Sequence, residues 1–362
     1  MSKKILISVG PIPAKLDSVK FVTNRFKGGL ALKTAKQLSE LGNDVTIVAW
    51  KFTDLETTLP VIRIEDVMDY YDKMLEVKAD AYILAAAVAN LMPSNPYKGK
   101  FPSHNYKVGE KFNIEFEIAP RVIDEIKKKY PRSALIGYKL YDGTDEELIE
   151  AGKHTLFDST ANIVFANHPK WAKERKIVLT QDGAIFDCNF EEHVDLINKV
   201  VNEEFYSTKI ESNFKAELSD MEKRVLENYP TYVKDGRTYG TFAVRRDNSF
   251  ITTTRGKIGG KEAFSEVFEV NHETKLITAS KKATLNAPLI SKMLELNPTF
   301  NIILHGHELE GKLVHNKYEF AGSTGDLNFA KKVSVGEKIL LTKHGYIVGF
   351  ETVEQFNSFI GK

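Results

Sequence analysis

Cysteine is almost absent from this chain of 362 residues, in which Cys188 is the only one. An internal disulfide framework and a cysteine-rich metal site are therefore excluded, and such a composition is typical of a reducing compartment. Charge of one sign is lacking as well, because 50 Lys and Arg residues balance 49 Asp and Glu residues to a formal net charge of +1. No overall field thus attracts nucleic acid or a membrane surface. An anionic ligand must be bound by local groups.

Long apolar runs are also missing. No stretch approaches the roughly 20 residues that a membrane-spanning helix needs. The first residues pass into an apolar segment without the hydrophobic region and cleavage site of a secretory signal. We therefore expect a cytoplasmic protein with neither a membrane nor a nucleic acid as partner. A chain of 362 residues also favours two domains, each large enough to bury its own core.

Apolar strands alternate with amphipathic helices in the first half of the chain. KILISV, DVTIVAW and DAYILAAAV predict buried strands, and GGLALKTAKQLSEL and DVMDYYDKML predict the helices between them. SALIGYKL, NIVFAN and the hairpin KIVLTQDGAIF extend the same sheet before a helix at 191–204. This order indicates an α/β fold, a doubly wound, Rossmann-like parallel sheet over residues 1–205.

A second α/β domain is predicted over residues 218–362. The preceding residues, 206–217, are mostly polar and are predicted to be a linker. MEKRVLENYP then predicts a helix, GTFAVRRDNSFITTT two strands about a turn, and residues 287–296 another helix. KILLTKHGYIVGF and a terminal helix end the pattern.

The loop after the first strand is a candidate ligand site, because open parallel sheets bind ligands beyond the carboxyl ends of their strands. It reads GPIPAKLDSVKFVTNRFKGG and is longer than the Gly-x-Gly-x-x-Gly turn of a dinucleotide-binding domain. Gly28 and Gly29 precede a predicted helix, whose N-terminal N–H groups and dipole favour a phosphate.

Five blocks in this half resemble the phosphopantothenate–cysteine ligase family in order and spacing. They are the loop with Gly10, Asp17, Val19, Lys20, Asn24 and Gly28, the segment AAAVANLMP, the region opened by Lys100, GYKL at 137–140 and VFAN at 164–167. The resemblance spans about the first 205 residues. It implies an ATP-dependent ligation in which the phosphopantothenate carboxylate attacks the α-phosphate of the nucleotide and releases pyrophosphate. The amine of cysteine then displaces the nucleotide.

The resemblance also implies roles for individual residues. It gives catalysis to Asn24 and Lys100, and binding of nucleotide with Mg²⁺ or of substrate to Gly10, Asp17, Lys27, Gly28, Ala86, Asn90, Tyr138, Lys139 and Asn167. GYKL resembles the ATP-using members rather than the CTP-using ones, which carry Gly-Phe-Ala-Ala. Phe26 and Lys27 stand where the family has hydroxyl residues, and Asn90 where it has an aspartate. Lys27 could bind phosphate as a point charge, or the substrate has changed.

The second half resembles the class II aldolase and adducin-head family in GTFAVR, TTRG, KATLNAPLI, LHGH and LTKHGYIVG. The resemblance implies Zn²⁺ or a similar divalent ion bound by His305, His307 and His344. Two histidines at i and i+2 after a strand face the same side, which suits a shared metal. However, Asn286 replaces the family's acidic catalytic residue, Arg255 replaces a small hydroxyl residue, and Glu308 is a nearby carboxylate that could substitute.

Three functions stay open at this point. The main hypothesis is the ligase. The second is a metal-dependent lyase or isomerase acting on a sugar phosphate, against which Asn286 argues because an amide accepts no proton. The third is a non-catalytic nucleotide- or metabolite-binding protein, which Asn90 favours. Both families include homo-oligomers, so we expect a homo-oligomer here.

Overall fold

A computed structural model of the chain describes residues 2–211, 217–234, 237–256 and 264–361. The chain forms two compact units. The first consists of Met1–Gln181 and Phe186–Asn202, and the second of Asp182–Ile185 and Glu203–Lys362. Within the described ranges, no helix has the length and apolar character needed to span a membrane.

The first unit is built on an eight-stranded sheet. Its strands, with the short pairs beside it, are β1 (Lys4–Ser8), β2 (Pro11–Ile12), β3 (Ala14–Lys15), β4 (Phe21–Val22), β5 (Asp44–Trp50), β6 (Val61–Ile64), β7 (Ala81–Leu84), β8 (Ala87–Val88), β9 (Leu91–Pro93), β10 (Phe116–Ile118), β11 (Ala134–Leu140), β12 (Ile163–Asn167), β13 (Lys176–Thr180) and β14 (Ile185–Cys188). The sheet order is β14-β13-β12-β11-β7-β1-β5-β6, and the strands from β12 to β6 are parallel. The predicted doubly wound sheet is thus confirmed.

Five helices flank this sheet. They are α1 (Gly29–Glu40), α2 (Val67–Glu76), α3 (Ile123–Lys129), α4 (Asp145–Asp158) and α5 (Phe190–Asn202), with a 3₁₀ turn at Ser103–Asn105. Asp66 caps α2 by accepting hydrogen bonds from the N–H groups of Met68 and Asp69 at 3.0 and 3.1 Å. Helix α4 was not predicted, although Thr144 and Glu147 form a reciprocal capping box at its start.

The second unit contains a nine-stranded mixed sheet. Its strands and the separate pair β16–β17 are β15 (Ser207–Ile210), β16 (Tyr232–Lys234), β17 (Arg237–Tyr239), β18 (Thr241–Arg245), β19 (Phe250–Thr253), β20 (Phe264–Asn271), β21 (Leu276–Ala279), β22 (Ile302–Gly306), β23 (Lys312–Leu313), β24 (Ile339–Leu341) and β25 (Gly345–Phe350). The helices are α6 (Asp220–Asn228), α7 (Ala287–Leu296), α8 (Val353–Phe359) and a 3₁₀ segment at Gly325–Lys332.

Alternating side chains of this second sheet bury two separate cores. Phe242 and Val244 face a core shared with α6 and α8, whereas Ala243 between them faces the core that α7 covers. Ile302 and Leu304 likewise face the first core, and Ile303 faces the second. By the same alternation, His305 continues the face of Ile303.

The segment 206–217, predicted to be a linker, includes a strand of the second sheet. Residues 207–210 form β15, which pairs in parallel with β21 at the edge of that sheet. An edge strand has partners on one side alone and can remain polar, so the apolar pattern did not reveal it. Residues 212–216 of the expected linker lie outside the described residues.

Candidate functional sites

The first site lies where the direction of strand addition reverses in the eight-stranded sheet. β1 pairs with β5 on one side and with β7 on the other, all in parallel. The chain adds β5 and β6 first and then crosses to β7, so a crevice is expected between the loops after β1 and β7. These loops are joined through β2 and β8, and the N–H of Ala87 donates to the carbonyl of Gly10 at 3.0 Å. Both loops contain residues that the sequence analysis predicts to bind nucleotide or substrate.

Two of those residues bring the loops into direct contact. Asn24 donates both amide hydrogens across the gap, to the carbonyl oxygens of Ala87 and Val88 at 3.1 and 3.0 Å. Gly28 has φ +80°, and a Cβ there would stand 2.3 Å from the nitrogen of Gly10. This approach therefore requires glycine, and it sets the start of α1 beside the crevice.

Asp17 organises the loop that contains Lys100. Its fully buried carboxylate accepts hydrogen bonds from Lys20 Nζ at 2.8 Å and from the N–H groups of Val19 and Lys20 at 2.7 and 2.6 Å. It also accepts from the N–H of Phe101 at 3.0 Å. The bond from the Lys20 ammonium holds the pKa of Asp17 well below its usual range. Both carboxylate oxygens thus serve the loop rather than a ligand.

Lys100 itself is exposed, and its backbone is tied down on both sides. The N–H of Ser18 donates to the carbonyl of Gly99 at 3.0 Å, and Asp17 accepts from Phe101. Lys27, at the mouth of the first loop, is also exposed. The two ammonium groups are therefore available to an anionic ligand.

In the second loop, Ala86 and Asn90 contribute mainly through their backbone. The N–H of Ala86 donates to Ser8 Oγ at 3.1 Å, and the carbonyl of Asn90 accepts from the N–H of Ala119 at 2.9 Å. The side chain of Asn90 is exposed.

Tyr138 turns its hydroxyl group into the interior rather than toward solvent. The hydroxyl is 2.7 Å from His193 Nε2, and burial raises the pKa of Tyr138. Burial lowers the pKa of His193 to about 3, so this ring is neutral. The resemblance implies that Tyr138 lines the nucleotide; with the hydroxyl group turned inward, the ring is the part of the side chain left for such a contact. The neighbouring Lys139 is partly exposed.

The side chain of Asn167 also makes its hydrogen bond within the protein. Its partner, Lys176, was not predicted from the sequence. Its Oδ1 accepts from Lys176 Nζ at 3.1 Å, and the same ammonium donates to the carbonyl of Ala172 at 2.7 Å. Lys176 is fully buried, and burial lowers its pKa to about 8. It lies beside the carboxyl end of β12, where the antiparallel β13 begins. The apolar strand KIVLT gave no signal that its first lysine would be buried.

The second site is a cluster of the three predicted histidines. His305, His307 and His344 each offer a ring nitrogen, and these atoms lie within 4.8 Å of one another. The Nε2 atoms of His305 and His307 are 3.2 Å apart. Of the described residues, this is the one group of three or more such side chains with metal-binding proximity.

Burial and hydrogen bonding determine the state of two of these rings. His305 and His344 are buried, and burial lowers the pKa of His344, an effect that Asp182 opposes. His305 Nδ1 is 2.8 Å from the carbonyl of Tyr346, which fixes the proton on Nδ1 and directs the lone pair of Nε2 toward the cluster. The residue after His344 is constrained as well. Gly345 has φ +146°, and a Cβ there would stand 2.1 Å from the carbonyl oxygen of Gly306, so this position requires glycine.

Polar groups beside the cluster include a buried, unsatisfied amide. Thr241, which pairs in register with His305, has its hydroxyl 3.0 Å from that of Thr284. Thr284 Oγ1 in turn accepts from the N–H of Asn286 at 3.3 Å. Among the described residues, Asn286 Oδ1 is buried without a hydrogen-bond partner. Glu308, the substitute carboxylate considered above, is exposed.

Comparison with known proteins finds similarity to proteins of coenzyme A biosynthesis. The family model "DNA/pantothenate metabolism flavoprotein C-terminal domain" matches residues 1–202. The Coenzyme A biosynthesis bifunctional protein CoaBC of Thermococcus kodakarensis is 27% identical over 184 residues, 49% of this chain and 44% of that protein. The Vibrio cholerae protein of the same name is 35% identical over 98 residues, 26% of this chain and 24% of that one. The chain thus spans less than half the length of these curated relatives.

Solved structures show partial similarity to this chain as well. The DNA/pantothenate metabolism flavoprotein from Streptococcus pneumoniae covers 54% of this chain and 96% of its own, with 20% identity and a TM-score of 0.47. YgbL from Escherichia coli, a candidate aldolase, epimerase or decarboxylase, covers 36% of this chain and 75% of its own, with 14% identity and a TM-score of 0.28.

Proposed function

Because the chain belongs to the DNA/pantothenate metabolism flavoprotein C-terminal domain family, we propose that it is a nucleotide-dependent phosphopantothenate–cysteine ligase of coenzyme A synthesis. The observation that carries the proposal is the convergence of the loops after β1 and β7, with Lys100 held at their side through Asp17. The proposed reaction forms an acyl-nucleotidylate and pyrophosphate, and cysteine then displaces the nucleotide.

The charge of the reactants sets the main physical requirement. A carboxylate must approach a triphosphate, so cations and oriented dipoles have to offset their repulsion. The exposed ammonium groups of Lys100 and Lys27 and the N-terminus of α1 can do this for phosphates that carry Mg²⁺. Hydrogen bonds hold the backbone on both sides of Lys100, so less conformational entropy is lost when the nucleotide binds.

Asn24 has a positioning role in this proposal. Both of its amide hydrogens hold the second loop, so a reacting carboxylate would receive no hydrogen bond from them. Its Oδ1 can accept a hydrogen bond from a hydroxyl, amide or amine of the substrate. Loss of Asn24 should therefore loosen the crevice and remove one substrate contact.

Pyrophosphate release tests the ligase proposal. Purified protein with Mg²⁺, ATP, phosphopantothenate and cysteine should release pyrophosphate, and Lys100→Ala should lower the rate by about 10²-fold or more. Lys98→Ala is the matched control, since Lys98 is an exposed lysine of the same segment. No release by the unaltered protein with either ATP or CTP would remove the ligase and favour a binding protein.

We further propose ATP as the nucleotide, supported by the likeness of GYKL to the ATP-using members. Calorimetric titration should show tighter binding of ATP than of CTP. Equal or tighter binding of CTP would contradict the choice.

For the second unit we propose a divalent-metal site at His305, His307 and His344. The donor set fits Zn²⁺, since three neutral imidazoles with a fixed tautomer at His305 are an ordinary zinc ligand set with an open position. Such an ion, when bound, supplies Lewis acidity toward a substrate oxygen. Asn286 cannot take up a proton, so we propose a binding role for this unit rather than lyase activity.

We also propose that the protein is a homo-oligomer. A ribbon formed by β9 and β10 exposes apolar side chains, among them Leu91 and Ile118, which are 48% and 73% exposed. Solvent-exposed apolar groups of this kind mark interaction surfaces.

A further inference from the structure

A buried carboxylate lies beside one of the three histidines and belongs to none of the blocks that resemble a known family. Asp182 is 7% exposed and is a member of the second unit. Its Oδ2 accepts hydrogen bonds from the hydroxyl of Tyr318 at 2.6 Å and from the N–H of Ala321 at 3.3 Å, and its Oδ1 accepts from the N–H of Ala184 at 3.1 Å. These donors hold the carboxylate in one place.

The same Oδ2 faces a ring nitrogen of His344. The distance from Asp182 Oδ2 to His344 Nδ1 is 3.9 Å, and the side chains of both residues are 3% exposed. A negative charge on this side favours a proton on Nδ1 and a lone pair on Nε2. His305 Nδ1 faces the carbonyl oxygen of Tyr346 at 2.8 Å. Two of the three rings thus have an oxygen atom on their Nδ1 side.

We propose that Asp182 is a positioning residue for His344, which orients the ring, increases its basicity and thereby strengthens metal binding. The inference rests on the metal site proposed above. Its physical basis is charge as well as orientation, since three imidazoles bring no negative charge to a divalent ion and Asn286 brings none either. A carboxylate behind a metal-binding histidine typically contributes 10- to 100-fold in metal affinity.

The test is the zinc affinity of the full chain, measured by competition with a chromophoric chelator. Asp182→Asn keeps the shape of the side chain but removes its charge, and it should weaken zinc binding about 10- to 100-fold. Asp182→Glu should recover part of this loss. Asp247→Asn, the same change at an exposed turn of the second unit, should leave the affinity unaltered.

A spectroscopic readout separates positioning from a general loss of structure. The visible spectrum of bound Co²⁺ reports ligand geometry, and Asp182→Asn should alter it whereas Asp247→Asn should not. If the wild type binds zinc and Asp182→Asn has the same affinity and spectrum, the role of Asp182 is overturned but the metal site is not. A wild type that binds neither ion would overturn the metal site itself.

A milder variant serves if Asp182→Asn does not fold. Tyr318→Phe removes the hydroxyl donor at 2.6 Å but keeps the carboxylate. It should weaken zinc binding several-fold and shift the Co²⁺ spectrum. Wild-type affinity and spectrum in this variant would overturn the role of a fixed Asp182.

Discussion

Two buried aspartates show how the surroundings of a carboxyl group decide which of its forms the fold stabilises. Asp17 receives four hydrogen bonds, one of them from an ammonium group, and these favour its charged form. Asp326 is buried among Asp182, Glu203 and Glu319, and burial together with these charges raises its pKa well above the ordinary value. The two residues should therefore respond to pH in opposite directions.

Asp326 should destabilise the protein increasingly as the pH rises. Its folded pKa lies above its unfolded one, so its favourable contribution is complete below the unfolded pKa and is lost as the pH rises through the folded pKa. Asp326→Asn should thus be more stable than wild type at pH 8, by about 1–3 kcal/mol, with a smaller difference at pH 4. Chemical denaturation at a series of pH values measures this. A difference that does not vary with pH would contradict it, and Asp247→Asn is the control.

Asp17 should show the reverse dependence. Its folded pKa is lowered, so its contribution is present above the unfolded pKa and is lost as the pH falls. Asp17→Asn should lower stability at pH 7, and this deficit should begin to shrink as the pH falls below the unfolded pKa toward the folded one. The same denaturation series checks this, and a deficit of equal size at pH 3 would count against a charge effect. The variant should also raise the KM for nucleotide, because Lys100 loses its anchor.

At the scale of single elements, the start of helix α1 depends on the close approach of two stretches of backbone. Gly28 meets Gly10 at a separation that admits no Cβ and has a left-handed backbone, whereas the next residue, Gly29, has no atom within 4 Å of a Cβ position. Adjacent glycines thus carry different constraints.

Gly28→Ala should therefore impair the site while Gly29→Ala leaves it intact. The first substitution adds both backbone strain and a clash with the backbone of Gly10, together about 2–4 kcal/mol. The second should be neutral or slightly stabilising, since alanine suits a helix better than glycine. Thermal unfolding and pyrophosphate release measure both. Equal behaviour of the two variants would contradict the close approach as a requirement.

Helices and strands could be predicted from the sequence where a local pattern encodes them. Hydrogen bonds between residues far apart in the chain could not. Strand β1 and helix α1 follow from apolar periodicity, and the capping box at Thr144 could have revealed α4 as well. The three histidines lie together as predicted: His305 and His307 share a face because strand alternation is local, whereas the place of His344 was expected from the family resemblance. By contrast, Asp17 serves the loop through the N–H of Phe101, a contact 84 residues away. No pattern encodes such a pairing.

For the whole molecule, the ribbon of β9 and β10 predicts how copies associate. Among the described residues, β10 pairs with β9 alone, and Phe116 and Ile118 on it are exposed. Lys111 and Glu117 lie three residues on either side of Ile114. Antiparallel pairing of two copies about Ile114 would thus place opposite charges together and cover the open edge.

Ile118→Lys should accordingly reduce the mass of the particle. A buried ammonium without a partner is costly, so the variant should dissociate where the wild type is oligomeric. Light scattering after size exclusion measures the mass, and Leu41→Lys is the control, since Leu41 is 52% exposed at the end of α1. An unchanged oligomer in Ile118→Lys would contradict this surface, and a monomeric wild type would contradict the homo-oligomer.

The chain as a whole should bind zinc without cleaving sugar phosphates. Three neutral imidazoles leave a coordination position for water or substrate, so the metal alone does not preclude chemistry. The side-chain amide of Asn286 cannot carry a proton away from a substrate carbon at neutral pH. Metal content should fall from about one ion in the wild type to near zero in His305→Ala. Assays with fuculose, rhamnulose and ribulose phosphates should show no cleavage.

Cleavage that is lost in His344→Ala but survives Asn286→Ala would show that another group accepts the proton. The exposed Glu308 beside His307 would then be the first residue to test.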